Sequence, residues 1–321
     1  MNAPLATHFT PLQAKSPFAV RSALGKGFTL AAVAACLLLL VWLTGYLLIK
    51  GAHGLNPAFI FGSFDKGEGM FDIDHAGVFP MVVGTLFLVM AMTVMVIPVG
   101  VITAIYLHEY ANQSHWTTRF LRLSVNNLAG VPPIIFGLFG LGFFVYFVGG
   151  NMDSLLGNDS PVWGKPALIW ASLTMAVLTI PVVVVATEEA LRAVPQSVRE
   201  AATGMGASRV QTLFGLVLPQ ALPGILTGAI LAISRGAGEV APIMFVGATY
   251  FAPIPQALTD QFMELGYHVF ILATQSPDVD RTQPLLFATV VVLLLLTFCL
   301  NFIAMLARAA LRAKYRQIES A

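Results

Sequence analysis

Charged residues are scarce in this chain: they make up 10% of its 321 residues, whereas 57% are hydrophobic. A soluble domain carries about 25% charged residues, so the composition excludes an ordinary globular protein. The sequence also lacks a GxxxxGK[ST] phosphate-binding loop, which excludes ATP hydrolysis by that route. Its six histidines are scattered without the spacing of metal ligands, and no arrangement of a nucleophile and a base is visible. We therefore expect no enzymatic activity, no cofactor and no metal site.

Cysteine is also rare. The two cysteines, Cys36 and Cys299, each lie inside an apolar run. Such positions favour small packing or lipid-facing residues over a disulfide or a metal ligand.

Long apolar runs, by contrast, are abundant. Six of them are about 20 residues long or longer, which is enough to cross a hydrocarbon core of about 30 Å as a helix. They lie at 28–49, 79–107, 128–148, 167–187, 220–248 and 285–306. No small-residue cleavage site follows the first run, so we expect that run to stay in the protein. The predicted fold class is an all-α polytopic membrane protein with six transmembrane helices.

The basic residues outside these runs are unevenly divided between the two sides of the membrane. Twelve lie in the tails and in the loops after the second and fourth runs: Lys15, Arg21, Lys26, Arg119, Arg122, Arg192, Arg199, Arg209, Arg308, Arg312, Lys314 and Arg316. Four lie on the other side: Lys50, Lys66, Lys165 and Arg281. By the positive-inside rule, the tails at 1–27 and 307–321 and the loop at 188–219 are cytoplasmic. The segments at 50–78, 150–166 and 249–284 are then periplasmic, and the five-helix core lies within 79–306. Within the second periplasmic segment, a short helix is expected inside 256–272.

The loop at 188–219 contains a motif with a defined spacing. It reads Glu200-Ala201-Ala202, three residues, Gly206, nine residues, and then Leu216-Val217-Leu218-Pro219. The motif resembles the EAA loop of ABC-importer permeases, whose pattern differs only in having isoleucine at the position of Leu216. The resemblance implies that Glu200, Ala201, Ala202 and Gly206 belong to a coupling helix that docks onto a cytoplasmic ATPase.

Local signals predict two short helices between Thr187 and Gln211. Thr187 is positioned to cap the first, and Ser197, with Glu200 three residues later, forms a capping-box pattern at the start of the second. Gly206 is expected to end the second helix because glycine tolerates the left-handed conformation. Without the motif, an ordinary connection between two membrane helices would be the better explanation.

Two ionisable residues, Arg235 and Glu239, fall within the fifth apolar run. A charge at the centre of a membrane helix costs at least about 2.5–3.5 kcal/mol, so its presence needs a reason. The four-residue spacing places both groups on one helix face, where each partly neutralises the other.

The neighbours of this pair are small or helix-breaking. Gly236 and Gly238 leave room for a second helix or a hydrated anion, and Pro242 favours a helix that lines a wet path. We interpret Arg235 as the partner of an anionic substrate and Glu239 as the residue that holds or modulates it. The alternative is a structural ion pair that locks two helices together.

Further segments carry a more specific likeness. They are Tyr106–Ala111 (YLHEYA), Asn127–Ile134 (NLAGVPPI), Gly137–Gly140 (GLFG), Arg235–Pro242 (RGAGEVAP), and Tyr267-His268 with Ala273–Pro277 (ATQSP). They resemble the A-type (PstA-like) permeases of phosphate ABC importers, and the resemblance covers roughly residues 75–321. It implies a five-helix core with an additional N-terminal helix. It also implies three kinds of partner, namely a second permease of the C type, two copies of an ATPase and a periplasmic phosphate-binding protein, with Arg235 and Glu239 as the pathway residues.

Two positions depart from the family pattern. Val240 stands where the family has threonine, and Pro133 stands where it has serine, which leaves another oxyanion open as the substrate. The predicted periplasmic segments hold ten acidic residues against four basic ones, the acidic residues being at 65, 68, 72, 74, 153, 159, 260, 264, 278 and 280. Such a surface repels free phosphate and favours delivery by a bound protein.

We therefore predict a permease subunit of an ATP-driven phosphate importer in the bacterial inner membrane. An importer for a different oxyanion is the first alternative. An ion-coupled secondary transporter is the second, and it comes from a different class of transport protein.

Overall fold

The structure of the protein, a computed structural model, describes residues 17–63 and 77–319. The tail before residue 17 and the acidic residues at 65, 68, 72 and 74 lie outside the described residues. The described helices are α1 (Pro17–Ala52), α2 (Pro57–Phe61), α3 (Phe79–Ile105), α4 (Trp116–Leu128), α5 (Pro133–Phe139), α6 (Gly150–Leu156), α7 (Leu168–Arg192), α8 (Gln196–Gly204), α9 (Arg209–Thr212), α10 (Leu218–Gly236), α11 (Ile243–Val246), α12 (Leu265–Thr274) and α13 (Val279–Glu319). Three π-helical stretches, Tyr106–Tyr110, Gly140–Gly149 and Leu213–Val217, extend or join these helices. Across 17–63 and 77–319 there is no β-strand, only an isolated bridge between Ala248 and Phe262.

Six helical segments are long and apolar enough to span a membrane, which confirms the all-α fold class and the predicted number of spans. They cover Leu24–Ala52, Phe79–Tyr110, Pro133–Leu156, Leu168–Arg192, Arg209–Gly236 and Val279–Ala313. The fifth departs most from its predicted bounds of 220–248. It ends at Gly236 because Gly236 and Gly238 are poor helix formers and Pro242 has no backbone N–H to donate.

α7 is the central helix of the core, and α3 and α10 both pack against it. In its most apolar stretch 67% of the residues are buried, whereas no other span exceeds 33%. Gly224 and Gly228 of α10 face Ala190 and Ala186 of α7. These small residues bring the two backbones close together, which is how helices gain contact in a membrane, where there is little hydrophobic drive between them.

A second buried cluster lies where α2 and α12 meet the first turns of α3 and α13. Its core residues are Phe59, Val78, Met81, Ala252, Met263, Leu265, Leu272, Leu285, Ala288 and Val292. The short helix expected within 256–272 is α12, and its observed position is Leu265–Thr274. The cluster holds the start of α12 against α3, and this contact becomes important for the site described below.

Among the described residues, 17–49 form a unit of their own. The apolar stretch of α1 has no buried residue, and Cys36 on it is exposed. An apolar helix surface of this kind suits contact with lipid or with another membrane protein.

Candidate functional site

Arg235 and Glu239 form an ion pair. Nε of Arg235 donates a hydrogen bond to Oε1 of Glu239 over 3.3 Å, and the side chains are 34% and 25% exposed. Arg235 lies in the last turn of α10, whereas Glu239 lies beyond the helix end at Gly236. The prediction that one helix face carries both groups was therefore wrong, although the two groups do meet. A cation in the last turn is favourable because the C-terminus of a helix carries a partial negative charge.

The two glycines beside this pair have different surroundings. A β-carbon at Gly236 would lie 2.5 Å from the sulfur of Met92, so α3 occupies that space. A β-carbon at Gly238 would have no atom within 4 Å. The room that the sequence predicted for a second helix is thus found at Gly236, and the space beside Gly238 is open.

The chain after Glu239 is positioned by tertiary contacts. Val240 lies against Gly266 at the start of α12, where an added β-carbon would be 2.6 Å from Val240 Cγ2. The carbonyl oxygen of Pro242 lies against Gly137 of α5, where an added β-carbon would be 2.7 Å away. Two glycines on other helices therefore make the space through which the chain turns from α10 into α11.

Asn301 on α13 is a site residue that the sequence analysis missed. The hydroxyl of Ser234 donates a hydrogen bond to Oδ1 of Asn301, which joins α10 to α13 one residue before Arg235. The available signal was an asparagine inside the last apolar run, because polar side chains in membrane helices usually face other helices rather than lipid.

The EAA-like motif forms α8 and its C-terminal cap. Gly206 has a left-handed backbone with φ of 85°. The N–H groups of Gly206 and Ala207 donate to the carbonyls of Thr203 and Ala202, which is the Schellman arrangement. The prediction that a left-handed Gly206 closes this helix is confirmed.

The side chains of the motif do not all point the same way. Glu200 and Ala201 are exposed and are available to a partner. Ala202 is 1% exposed and faces the rest of the chain. The two alanines therefore do not share one face of α8: Ala201 is on the exposed face, and Ala202 is on the buried face.

Both capping predictions for this loop were wrong. α7 continues to Arg192, so Thr187 is buried inside that helix instead of capping a new one. α8 begins directly after Pro195, which places Ser197 and Glu200 within the helix. Pro195 occupies the cap position itself, with a φ of −59° and a non-helical ψ of 140°, so Ser197 falls inside the first turn.

A complete capping box is found one helix later. The side chain of Ser208 accepts from the backbone N–H of Gln211, and the side chain of Gln211 accepts from the backbone N–H of Ser208. It starts α9, which leads through Leu213–Val217 into α10. The turn between α8 and α9 is thus bounded by a Schellman cap at the end of α8 and a capping box at the start of α9.

Arg199 ties α8 to two membrane helices. Its Nη1 atom lies 3.0 Å from Oε1 of Glu109, and its Nη2 atom donates to the carbonyl oxygen of Leu191 over 2.8 Å. Glu109 lies in the π-helical stretch that continues α3, and Leu191 lies in the last turn of α7. In the sequence, Arg199 stands out only as one of the basic residues that orient the chain.

Glu264 is a buried carboxylate outside the membrane spans. It is 2% exposed, it accepts a hydrogen bond from the backbone N–H of Tyr267 over 2.6 Å, and it lies 3.5 Å from the hydroxyl of Thr85. Burial raises the pKa of Glu264 to about 7, although these hydrogen bonds and one from Gly266 act in the opposite direction. The sequence analysis had counted Glu264 only as one of ten acidic residues.

We expect Glu264→Gln to flatten the dependence of stability on pH. Because the pKa is raised from 4.5 to about 7 in the folded chain, the folded state keeps a proton that the unfolded state releases. The free energy of unfolding of the wild type should therefore fall by up to roughly 3 kcal/mol as the pH rises from about 4.5 to about 7. Glutamine does not titrate, so the variant should not show this loss. Thermal unfolding of both proteins in detergent at pH 5 and pH 8 measures the difference. If Tm changes between pH 5 and pH 8 by the same amount in the wild type and in Glu264→Gln, the prediction is contradicted.

The chain resembles known proteins in sequence and in fold. A family model described as "Binding-protein-dependent transport system inner membrane component" matches residues 96–317. The chain is 34% identical over 222 residues to the "Probable ABC transporter permease protein YqgI" of Bacillus subtilis (strain 168), covering 68% of this chain and 67% of that protein. It is 31% identical over 278 residues to the "Phosphate transport system permease protein PstA" of Yersinia pestis, covering 86% and 84%.

A solved structure shares the fold. A chain of a bacterial alginate ABC transporter, crystallised with an alginate pentasaccharide-bound periplasmic protein, superposes with a TM-score of 0.62. The match covers 88% of this chain and 93% of that chain at 16% identity, so it concerns the fold alone.

Proposed function

We propose that this chain, which belongs to the family of binding-protein-dependent transport system inner membrane components, imports inorganic phosphate. It is a multi-pass inner-membrane protein and an ABC importer permease. The observation that carries the substrate proposal is the position of Arg235, half-buried at the end of α10 with open space beside Gly238. The sequence similarity between this chain and a phosphate permease of Yersinia pestis extends over 86% of the chain, a stretch long enough to include α10, which carries Arg235.

Arg235 has the chemistry that an oxyanion needs. A guanidinium group stays charged at all physiological pH values and offers several N–H donors in one plane, which suits the oxygens of phosphate. Nε of Arg235 donates a hydrogen bond to Glu239. An arriving dianion competes with this carboxylate for the same cation, so the site binds substrate without trapping it.

Three kinds of partner complete the proposed importer. A second permease of the C type forms the other half of the translocation path. Two ATPase subunits power the importer, and one of them docks on α8 of this chain through Glu200, Ala201 and the turn at Gly206. A periplasmic phosphate-binding protein delivers the substrate at the segments 50–78 and 249–284. Both termini and the docking loop are cytoplasmic, as the distribution of basic residues predicts.

Import of another oxyanion is the second candidate, and Val240 is the observation that favours it. The family's threonine hydroxyl is absent here, and the valine side chain packs against Gly266 beside the site. A site with one hydroxyl fewer offers one donor fewer to the anion, which changes the discrimination between oxyanions of different protonation. Family membership argues against the ion-coupled secondary transporter that the sequence had left open.

The test is ATP-dependent uptake of labelled phosphate in vesicles that carry this chain with its partner subunits. Excess arsenate should block the uptake, and excess sulfate or phosphonate should not. Equal inhibition by sulfate would discard phosphate as the substrate and keep the importer. Uptake that persists without the ATPase subunits would contradict an ATP-driven importer altogether.

A further inference from the structure

We propose that Arg199 and Glu109 form the joint through which movement of the docking helix α8 reaches α3 and, through α3, the substrate residue Arg235. The inference rests on the proposed function in one respect, namely that an ATPase moves α8. It adds two coupling residues that act on Arg235 through other residues and do not touch the substrate.

The joint is strong because it is screened from water. The side chains of Arg199 and Glu109 are only 17% and 18% exposed, and their charged atoms are 3.0 Å apart. Separating such a pair leaves a desolvated charge without its partner, which costs far more than separating an exposed pair. Moving α8 together with the end of α3 therefore costs less free energy than separating the two.

α3 is the element that carries the movement across the membrane. Helical structure is continuous from Phe79 through Pro98 to Tyr110. From Glu109 back to Met92 the distance along the helix is about 25 Å at 1.5 Å per residue. Met92 is fully buried, and its sulfur occupies the space beside Gly236, next to Arg235. A displacement of α3 therefore changes the position of the substrate residue directly.

The surroundings of the joint allow α8 to move. A cavity of about 160 Å³ lies beside the pair, and it is lined by Glu109, Tyr110, Arg199, Thr203, Arg209, Thr212, Leu213 and Val217. It separates part of α8 from the helix that leads into α10. α8 and the end of α3 can consequently move together without first displacing packed side chains of α10.

A second arginine provides a matched control. Arg122 of α4 forms an ion pair with Glu188 of α7 at 3.2 Å and donates to the carbonyl oxygen of Leu107 over 3.2 Å. Like Arg199, it joins the π-helical end of α3 to the end of α7, but it does not involve α8. Loss of either arginine weakens the same region of the fold, and only loss of Arg199 releases the docking helix.

The first experiment compares ATP hydrolysis with phosphate uptake in proteoliposomes that contain the whole transporter. We expect Arg199→Gln and Glu109→Gln to keep ATP hydrolysis within about two-fold of wild type and to lower the phosphate imported per ATP about five-fold. The charge-swapped double variant R199E/E109R should recover at least half of the lost ratio. Arg122→Gln should leave the ratio unchanged. A ratio that falls equally in Arg122→Gln and Arg199→Gln, or no change in Arg199→Gln, would overturn the proposal.

The second experiment does not depend on the substrate. Spin labels are placed at two exposed positions, Gln196 on α8 and Ile102 on α3, in a transporter in which Cys36 and Cys299 are replaced by serine. The distance between the labels should stay constant when a non-hydrolysable ATP analogue closes the ATPase, and it should lengthen in the Arg199→Gln background. A distance that changes equally in both proteins would show that no joint exists. If the wild-type transporter does not import phosphate, the proposed function is wrong. The distance measurement still shows whether Arg199 and Glu109 couple α8 to α3, because it does not use the substrate.

Discussion

Arg235→Gln is expected to lower ATP-dependent phosphate uptake by roughly 100-fold or more, while the transporter still assembles. Glutamine keeps a similar length and polarity but removes the charge. Each charge-assisted hydrogen bond from the guanidinium to the anion contributes about 1.5–3 kcal/mol, and the planar guanidinium can make more than one. The side chain is 34% exposed and packs at a helix end rather than in the core, so the fold does not depend on it. Uptake by vesicles, together with the amount of partner subunit that copurifies, measures both parts of the prediction.

Glu239→Gln separates a substrate role of Arg235 from a purely structural ion pair. If the pair only locks the break after α10 in place, both variants remove the same interaction and should have equal effects. If Arg235 meets the anion, Glu239→Gln leaves the cation in place and should reduce uptake far less. Arg235→Lys should be intermediate because lysine keeps the charge and loses the planar fork. Failure of Arg235→Gln to assemble would support the structural role.

Gly206→Val is expected to reduce copurification of the ATPase about ten-fold or more. The φ of 85° is a left-handed conformation, which costs an L-residue roughly 1–2 kcal/mol and a β-branched residue still more. No atom lies within 4 Å of the position of an added β-carbon, so the expected effect comes from the backbone and not from a clash within the chain. Loss of this turn changes the path of the chain directly after α8. It therefore changes the shape of the surface on which Glu200 is exposed. Affinity purification through a tag on this chain, with quantification of the ATPase, gives the measurement.

Gly204→Val is the matched control. Gly204 lies two residues earlier, in α8, and it too would have no atom within 4 Å of an added β-carbon. The same side chain is therefore added to the same exposed segment at a helical position, where valine is tolerated. We expect the ATPase to copurify nearly as with wild type. An equal loss in both variants would mean that the interface rejects bulk and that the turn at Gly206 is not the cause.

The number of spans and the cap at Gly206 could be predicted from the sequence because both depend on local properties. A run of about 20 apolar residues has one stable solution in a bilayer, and only glycine adopts the left-handed conformation without strain. Local reasoning failed where neighbouring signals competed. Pro195 started α8 ahead of Ser197, and the helical preference of the residues around Thr187 carried α7 through to Arg192.

The placement of charge could also be predicted from the sequence alone: Arg235 lies within an apolar run, and the basic residues are concentrated in particular loops and tails. Both features follow from the cost of placing charge in hydrocarbon, which the sequence expresses directly. The roles of Arg235, Glu239 and the EAA-like motif stay predictions. Only the tertiary structure decided that Glu239 reaches Arg235 from beyond the helix end, that Ala202 faces inward, and that Arg199 pairs with Glu109. These contacts join residues on different elements, and their geometry depends on how α3, α7, α8 and α10 pack, which no local pattern records.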